Sequence, residues 1–255
     1  MVFKRLFSRS AKPAPRETRV PSGQRIYAIG DIHGRLDLLD QLLAQIDSDH
    51  AARPSAEQHL ILLGDLIDRG PASRGVIERV MQLARQRTNF RCLGGNHEDL
   101  LLRTLSGDTK SAAVFHRVGG RETLLSYGVS ESDYENADFP TLCDLAKRHV
   151  PEDHAAFVAS LEDYVAAGDY LFVHAGISPG KPLAAQLSEE LRWIRREFTE
   201  CDEAFEKFVI HGHTITEAVD LRTNRIGIDT GAYATNRLTA IGLEGGDRWF
   251  LSTLA

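Results

Sequence analysis

Cysteine is scarce: Cys92, Cys143 and Cys201 are the three in 255 residues, and no two share a metal-type spacing. That excludes a disulfide framework and a thiolate metal site, and reduced thiols suit a cytoplasmic protein. Long apolar runs are missing too, since nothing approaches the roughly 18 residues of a membrane span. The start, Met1-Val-Phe-Lys-Arg-Leu-Phe, is basic, but no apolar core segment or small-residue cleavage site follows it. A signal peptide is therefore not expected. Excess positive charge is also lacking, the formal net charge being −6. Residues 1–20 hold Lys4, Arg5, Arg9, Lys12, Arg16 and Arg19 against Glu17, a net +5, which leaves −11 for the rest. An acidic body excludes a general nucleic-acid binder. The basic tail, with Pro13, Pro15 and Pro21 and little to bury, is expected to be disordered over 1–24.

What the chain does have is one pattern repeated. Ile26–Ile29 is a β-type apolar run that ends in Gly30-Asp31-Ile32-His33-Gly34. Leu36, Leu39, Leu43 and Ile46 then recur at helical spacing. The run 59–63 leads into Gly64-Asp65-Leu66-Ile67-Asp68-Arg69-Gly70 and a helix through Val76, Ile77, Val80 and Leu83. Phe90–Leu93 leads into Gly94-Gly95-Asn96-His97-Glu98 and a third helix. Asp31, Asp65 and Asn96 are 34 and 31 residues apart, which suits successive strand–helix–strand units. Residues 106–168 read as a helical insertion capping the site, broken at Gly119-Gly120, with 133–140 as a loop. The sheet pattern resumes at Tyr170–Val173, ending in His174-Ala175-Gly176, and again at 208–210, ending in His211-Gly212-His213-Thr214. Between them a charged helix over 188–198 carries Arg192, Trp193, Arg195 and Arg196. The runs 225–228, 238–243 and 249–251 suggest closing antiparallel strands.

Any one of these turns is ordinary, because Asp, Asn and Gly are common turn residues. Five of them, each after a strand, is not ordinary. They supply carboxylate, imidazole and amide ligand types: Asp31, His33, Asp65, Asn96, His174 and a histidine of the 211–213 pair. That set suits Mn, Fe or Zn rather than Mg or Ca alone, and it suffices for two ions if one carboxylate bridges. Two divalent ions against two aspartates leave a positive site that attracts phosphate and lowers the pKa of bound water. His97 could protonate a leaving alkoxide, with Asp68 to orient it, and Arg69 and an arginine from 192–196 could clamp phosphate oxygens.

Gly-Asp-Ile-His-Gly at 30–34, Gly-Asp-Leu-Ile-Asp-Arg-Gly at 64–70, Gly-Asn-His-Glu at 95–98, His-Ala-Gly at 174–176 and Gly-His-Thr at 212–214 resemble the metal-dependent phosphoprotein phosphatases. The resemblance is to their bacterial and phage branch, within the calcineurin-like metallophosphoesterases, and covers roughly 25–252 in the family's order. It implies an α/β fold in one domain, 25–255, of two packed mixed sheets flanked by helices, with the helical cap inserted at 106–168. It implies one ion on Asp31, His33 and Asp65, and another on Asp65, Asn96, His174 and His213. His213 is chosen because the family's ligand directly follows glycine. The resemblance also makes His97 the general acid, paired with Asp68, and Arg69 a phosphate ligand. Arg195 matches the arginine two residues after a tryptophan.

The implied activity is hydrolysis of phosphoserine, phosphothreonine or phosphotyrosine in proteins, or of a small phosphoester. It proceeds by direct attack of a metal-bridging hydroxide, with two divalent ions, Mn2+ first among the candidates. The alternative is a symmetrical bis(5'-nucleosyl)-tetraphosphatase, but those enzymes tend to carry Ala at the position of Asp68 and Asp at that of Glu98. An inactive scaffold is disfavoured because the ligand set is complete. Two departures stand out. The family's protein phosphatases usually have Arg where this chain has Gly94. Ile215 replaces the second histidine of the Gly-His-X-His of metallo-nucleases, and with no nucleic acid partner expected, a nuclease is excluded.

Overall fold

The computed structural model describes residues 17–254. Strand β1 (Gln24–Ile29) is buried on both faces. Tyr27 and Ile29 pack under helices, while Ile26 and Ala28 face a second sheet. That double burial is why its sequence reads as an unbroken apolar run. After it come α1 (Leu36–Ala51), β2 (Glu57–Leu62), α2 (Ser73–Gln86), β3 (Phe90–Cys92) and α3 (Asn96–Leu105). The three strands are parallel, with Ile26 opposite His59 and Leu62 opposite Cys92.

The insertion is helical: α4 (Thr109–Val118), α5 (Gly120–Ser126), α6 (Glu131–Glu135), α7 (Phe139–His149) and α8 (Glu152–Ala159). Gly119, at φ +112°, divides α4 from α5. The loop expected over 133–140 instead contains the end of α6 and the start of α7. Polar residues before and within it are helix caps: Ser130 Oγ accepts from Asp133 N and Asp138 accepts from Thr141 N, with Pro140 in the first turn of α7. The helical stretch also ends sooner than 168, because Tyr164–Ala167 is a strand, β4, antiparallel to β5 (Tyr170–Val173).

Then follow α9 (Ser188–Trp193), α10 (Arg196–Thr199), β6 (Phe208–His211), β7 (Asp220–Leu221), β8 (Arg225–Gly227), α11 (Ala232–Thr235), β9 (Thr239–Glu244) and β10 (Asp247–Ser252). One sheet has the order β10-β9-β1-β2-β3 and the other β4-β5-β6-β8-β7. The closing strands therefore do not form one antiparallel set. β9 pairs antiparallel with β1 and β10, whereas β8 lies parallel to β6 in the other sheet. Ile26, Ala28, Ile61 and Leu63 from the first sheet meet Phe172, Phe208, Ile210 and Ile226 from the second. Helices cover the outer faces, so the expected α/β architecture of two mixed sheets flanked by helices is the one observed. Among the described residues, no helix is long and apolar enough to cross a membrane.

Part of the expected disordered tail is packed. Thr18 and Val20 are buried, Arg19 N donates to Asp169 Oδ2 at 2.9 Å, and Val20 N donates to Gly245 O at 3.1 Å. Apolar Val20 closes one end of the core between the sheets, which composition averaged over the tail concealed. The remainder of that expectation, residues 1–16, lies outside the described residues.

Candidate metal centre

The polar turns at the carboxyl ends of β1, β2, β3, β5 and β6 converge, as ligand-binding turns of open α/β sheets do. His33 N donates to Asp65 O at 2.8 Å and Gly212 N to His174 O at 2.8 Å. Among the described residues six non-glycine residues have positive φ, and five are His33, Asp65, Asp68, Arg69 and His213. Each holds a conformation that costs a non-glycine side chain of the order of 1–3 kcal/mol, so the surrounding structure must enforce it. Glycine is required where backbone passes close to the carboxylates. A Cβ on Gly95 would lie 2.1 Å from Asp65 Oδ1, and one on Gly212 2.0 Å from Asp31 Oδ1.

Asp65 sits at the centre, 2% exposed. Its Oδ1 is 3.4 Å from His174 Nε2, and its Oδ2 is 3.6 Å from His33 Nε2 and 3.7 Å from His97 Nε2. The two oxygens thus face two different groups: His33, Asp65 and His97, and Asp65, His174 and His213. In each group the candidate ligand atoms lie within 4.8 Å of one another. Burial alone would raise the pKa of Asp65, but the imidazoles of His174, His97, His33 and His213 outweigh it and hold the carboxyl well below the usual range.

The imidazoles are prepared as ligands. His33 Nδ1 lies 2.8 Å from Ile67 O, and His174 Nδ1 lies 2.9 Å from Leu63 O. A carbonyl can only accept, so each Nδ1 carries the hydrogen and each Nε2 presents its lone pair inward. Burial, first among the causes, lowers the pKa of His33 to about 3 and of His213 to about 2, and lowers that of His174. All three are neutral at pH 7, the form that binds metal. His213 Nε2 is buried and has no hydrogen-bond partner among the described residues. An orphaned lone pair, neutral imidazoles and a shared carboxylate fit divalent cations. His211, by contrast, belongs to neither donor group, and its ring packs 5.0 Å from Phe198.

The remaining expected residues are close by. Asn96 Oδ1 is 3.1 Å from His174 Nε2. Asp31 is in neither donor group; its carboxylate accepts from His213 N at 3.0 Å, and burial, then Asp229 and Asp65, raise its pKa well above the ordinary value. Asp68 is completely buried, and its Oδ2 lies 2.6 Å from His97 Nδ1. Thr123 Oγ1 donates to the other oxygen of Asp68 at 2.6 Å. Burial would lower the pKa of His97, but Asp65 and Asp68 together raise it. Arg69 Nη1 reaches 3.0 Å from His33 Nε2 and Nη2 3.2 Å from His97 Nε2, with Tyr233 stacked 4.7 Å from its Cζ. The expected helix over 188–198 is broken at Ile194-Arg195, between α9 and α10, and Arg195 at the break lines the cavity.

That cavity, about 270 Å³, is walled by Asp65, Arg69, Asn96, His97, Arg195, His213, Thr214 and Ile215. A second hollow of about 280 Å³, between 177–186 and 204–207, holds none of the site residues. Size does not separate the two; chemistry does.

Two contributors had no role assigned to them from the sequence. Glu98, fully buried, accepts from the backbone N–H of Asp65 (2.9 Å), Leu66 (2.8 Å), Ile67 (3.3 Å) and Gly95 (2.8 Å). Its signal was its place, three residues after the Gly95 cap of α3, where a glutamate returns to the helix start. Asp229 lies against Asp31, with Oδ1 accepting from Gly231 N at 2.9 Å and Oδ2 buried without a partner among the described residues. The stretch Asp229-Thr230-Gly231-Ala232 looks like the family's bacterial and phage branch, but its approach to Asp31 is made across the sheets, where no local pattern records it.

Two mixed sheets with Asp, His and Asn donors gathered at their strand ends define a metal-dependent phosphoester hydrolase. The chain belongs to the calcineurin-like phosphoesterase family, whose profile matches residues 24–229. That family uses two divalent metal ions at such a site. Among its relatives is the asymmetrical bis(5'-nucleosyl)-tetraphosphatase PrpE of Oceanobacillus iheyensis, 25% identical over 85% of this chain and 87% of that protein. Another is serine/threonine-protein phosphatase 2 of Escherichia coli, 28% identical over 85% of this chain and 91% of that protein. Among solved structures, a cold-active protein tyrosine phosphatase has the same fold, with a TM-score of 0.59 at 19% identity. The match covers 91% of this chain and 81% of that one.

Because ligand binding stabilises only the folded state, stripping divalent ions should lower the melting temperature. At about a thousandfold excess over Kd the added stability is about 4 kcal/mol, or roughly 10 °C for a chain of this length. Melting curves with and without chelator check this; coincident curves would mean that the donors hold no ion.

Proposed function

We propose that this chain is a phosphomonoesterase acting on phosphoserine and phosphothreonine in proteins. One ion would be held by Asp31, His33 and Asp65, and the other by Asp65, Asn96, His174 and His213. Bound there, divalent ions, Mn2+ foremost, would supply Lewis acidity towards the phosphoryl oxygens and a water of lowered pKa as nucleophile. Arg69 and Arg195, the two guanidinium groups of the cavity wall, would grip the remaining phosphate oxygens as the substrate displaces Arg69 from the histidines. Ile215 lies 45% exposed at the cavity's rim, open to the group that carries the phosphate.

The observation that carries this reading is the pair of His97 Nδ1 and Asp68 Oδ2 at 2.6 Å, buried and braced by Thr123. Asp68 holds the ring with Nε2 directed to the cavity, from which a proton passes to the departing oxygen. An alkoxide leaving from serine or threonine needs that proton, because it is strongly basic. A nucleotide leaving from a phosphoanhydride is weakly basic and does not. The likeness to the tetraphosphatase of Oceanobacillus iheyensis supports a second reading, a dinucleoside tetraphosphate as substrate.

His97→Ala is the discriminating variant. It should slow an alkyl phosphate such as a phosphoserine peptide by about 10²–10⁴-fold, the usual contribution of a general acid. The loss on p-nitrophenyl phosphate, whose leaving group needs no proton, should be at least tenfold smaller. Equal losses would remove the acid role. Wild-type enzyme that cleaves diadenosine tetraphosphate but no phosphopeptide would replace the first reading with the second.

A further inference from the structure

Gly94 has no side chain, and another residue's guanidinium lies over it. A Cβ on Gly94 would sit 3.2 Å from Arg192 Cζ, 3.3 Å from Nη2 and 3.5 Å from Nη1. Arg192 reaches there from the last turn of α9 and is held in place. Asp163 Oδ1 accepts from its Nε at 3.0 Å and its Nη2 at 2.7 Å, and Ser188 Oγ donates to Asp163 Oδ2 at 2.6 Å. Nη1 has no hydrogen-bond partner among the described residues, and the side chain is 17% exposed. Gly94 and Arg192 stand outside the cavity wall but close along the chain to residues that form it. Gly94 is two residues before Asn96, and Arg192 three before Arg195, and both of those residues line the cavity.

We propose that Arg192 forms a subsite for a second anionic group of the substrate, a carboxylate or phosphate next to the phosphorylated residue. The proposal rests on the phosphomonoester reading above. Arg69 and Arg195 wall the cavity that receives the scissile phosphate, so Arg192, outside that wall, meets the neighbouring group. A guanidinium fixed along one edge by a carboxylate presents its free N–H groups without further ordering, and such charge-assisted bonds are the strong ones. Residues 21–255 carry a net −11, so long-range electrostatics disfavours acidic peptides. Within that body, a preference for them has to be local.

The test compares kcat/KM for a phosphoserine peptide flanked by aspartates with that for its alanine-flanked twin. The wild type should favour the acidic peptide about tenfold, the value of one charge-assisted hydrogen bond. Arg192→Gln should bring the ratio close to one. Gly94→Ala, which removes no charge, should lower the ratio less, because a Cβ 3.2 Å from Arg192 Cζ makes the guanidinium give by only a fraction of an ångström; Gly94 does not have positive φ, so its backbone accepts alanine. Melting temperatures show whether both variants are folded. A twin flanked by phosphoserines separates the sources: greater preference for it names phosphate, and lesser preference names carboxylate. A wild-type ratio of one, or equal losses on both peptides in folded Arg192→Gln, would overturn the subsite. A wild type that hydrolyses neither peptide would remove the phosphomonoester reading, and the subsite with it.

Discussion

Asp65→Asn is expected to lower kcat/KM on the order of 10³-fold or more and to reduce the bound metal. The substitution is nearly isosteric, and asparagine tolerates the positive φ that Asp65 adopts, +47°. The backbone turn should therefore survive, leaving the lost charge as the difference. That charge matters twice, since Oδ1 faces His174 while Oδ2 faces His33 and His97. A carboxylate can offer an oxygen to each group, whereas an amide offers one oxygen and one non-ligating nitrogen. Metal analysis of the purified variant, beside its kinetics, checks the argument. Full occupancy at both positions would show that Asp65 is not shared.

The second large effect is expected from Glu98→Gln, at a residue that touches no substrate. Its four backbone donors come from both turns, Asp65, Leu66 and Ile67 from one and Gly95 from the other. Glutamine replaces one acceptor oxygen with an NH2 group that points at N–H groups. Buried donors left unpaired cost about 1–3 kcal/mol each, so a loss of about 3–5 kcal/mol is expected. For this chain length that is a fall of roughly 10 °C in melting temperature. Asp65, no longer held at positive φ by its own N–H, should also bind metal more weakly. Thermal melting and metal titration read the two effects separately, and a variant as stable as the wild type would mean that the turns stand without this brace.

The strands and helices that carry the site were legible because their signals are local. β1 to β3 announced themselves as apolar runs, α1 and α2 by helical spacing, and the turns by glycines beside Asp, His and Asn. The errors came where one local signal has two meanings. Ser130 and Asp138 are both loop formers and helix caps, and the side chains became caps because apolar positions on each side could bury a helix face. The charged helix over 188–198 has no proline or glycine, yet it breaks at Arg195. Nothing in the sequence marks that break.

The sequence by itself determined the residue types of the site, their order after the strands and the family they belong to, because catalysis restricts chemistry at fixed spacings. It named Asp31, His33, Asp65, Asn96, His174 and His213 as ligands while leaving their geometry open. Tertiary structure alone decided which oxygen of Asp65 faces which histidines, that Leu63 and Ile67 carbonyls orient His174 and His33, and that Glu98 ties two turns together. It also decided that the space over Gly94 is taken by Arg192. These are contacts between residues distant in the chain, and burial makes them strong. Their partners are set by how two sheets pack face to face, which no local pattern records.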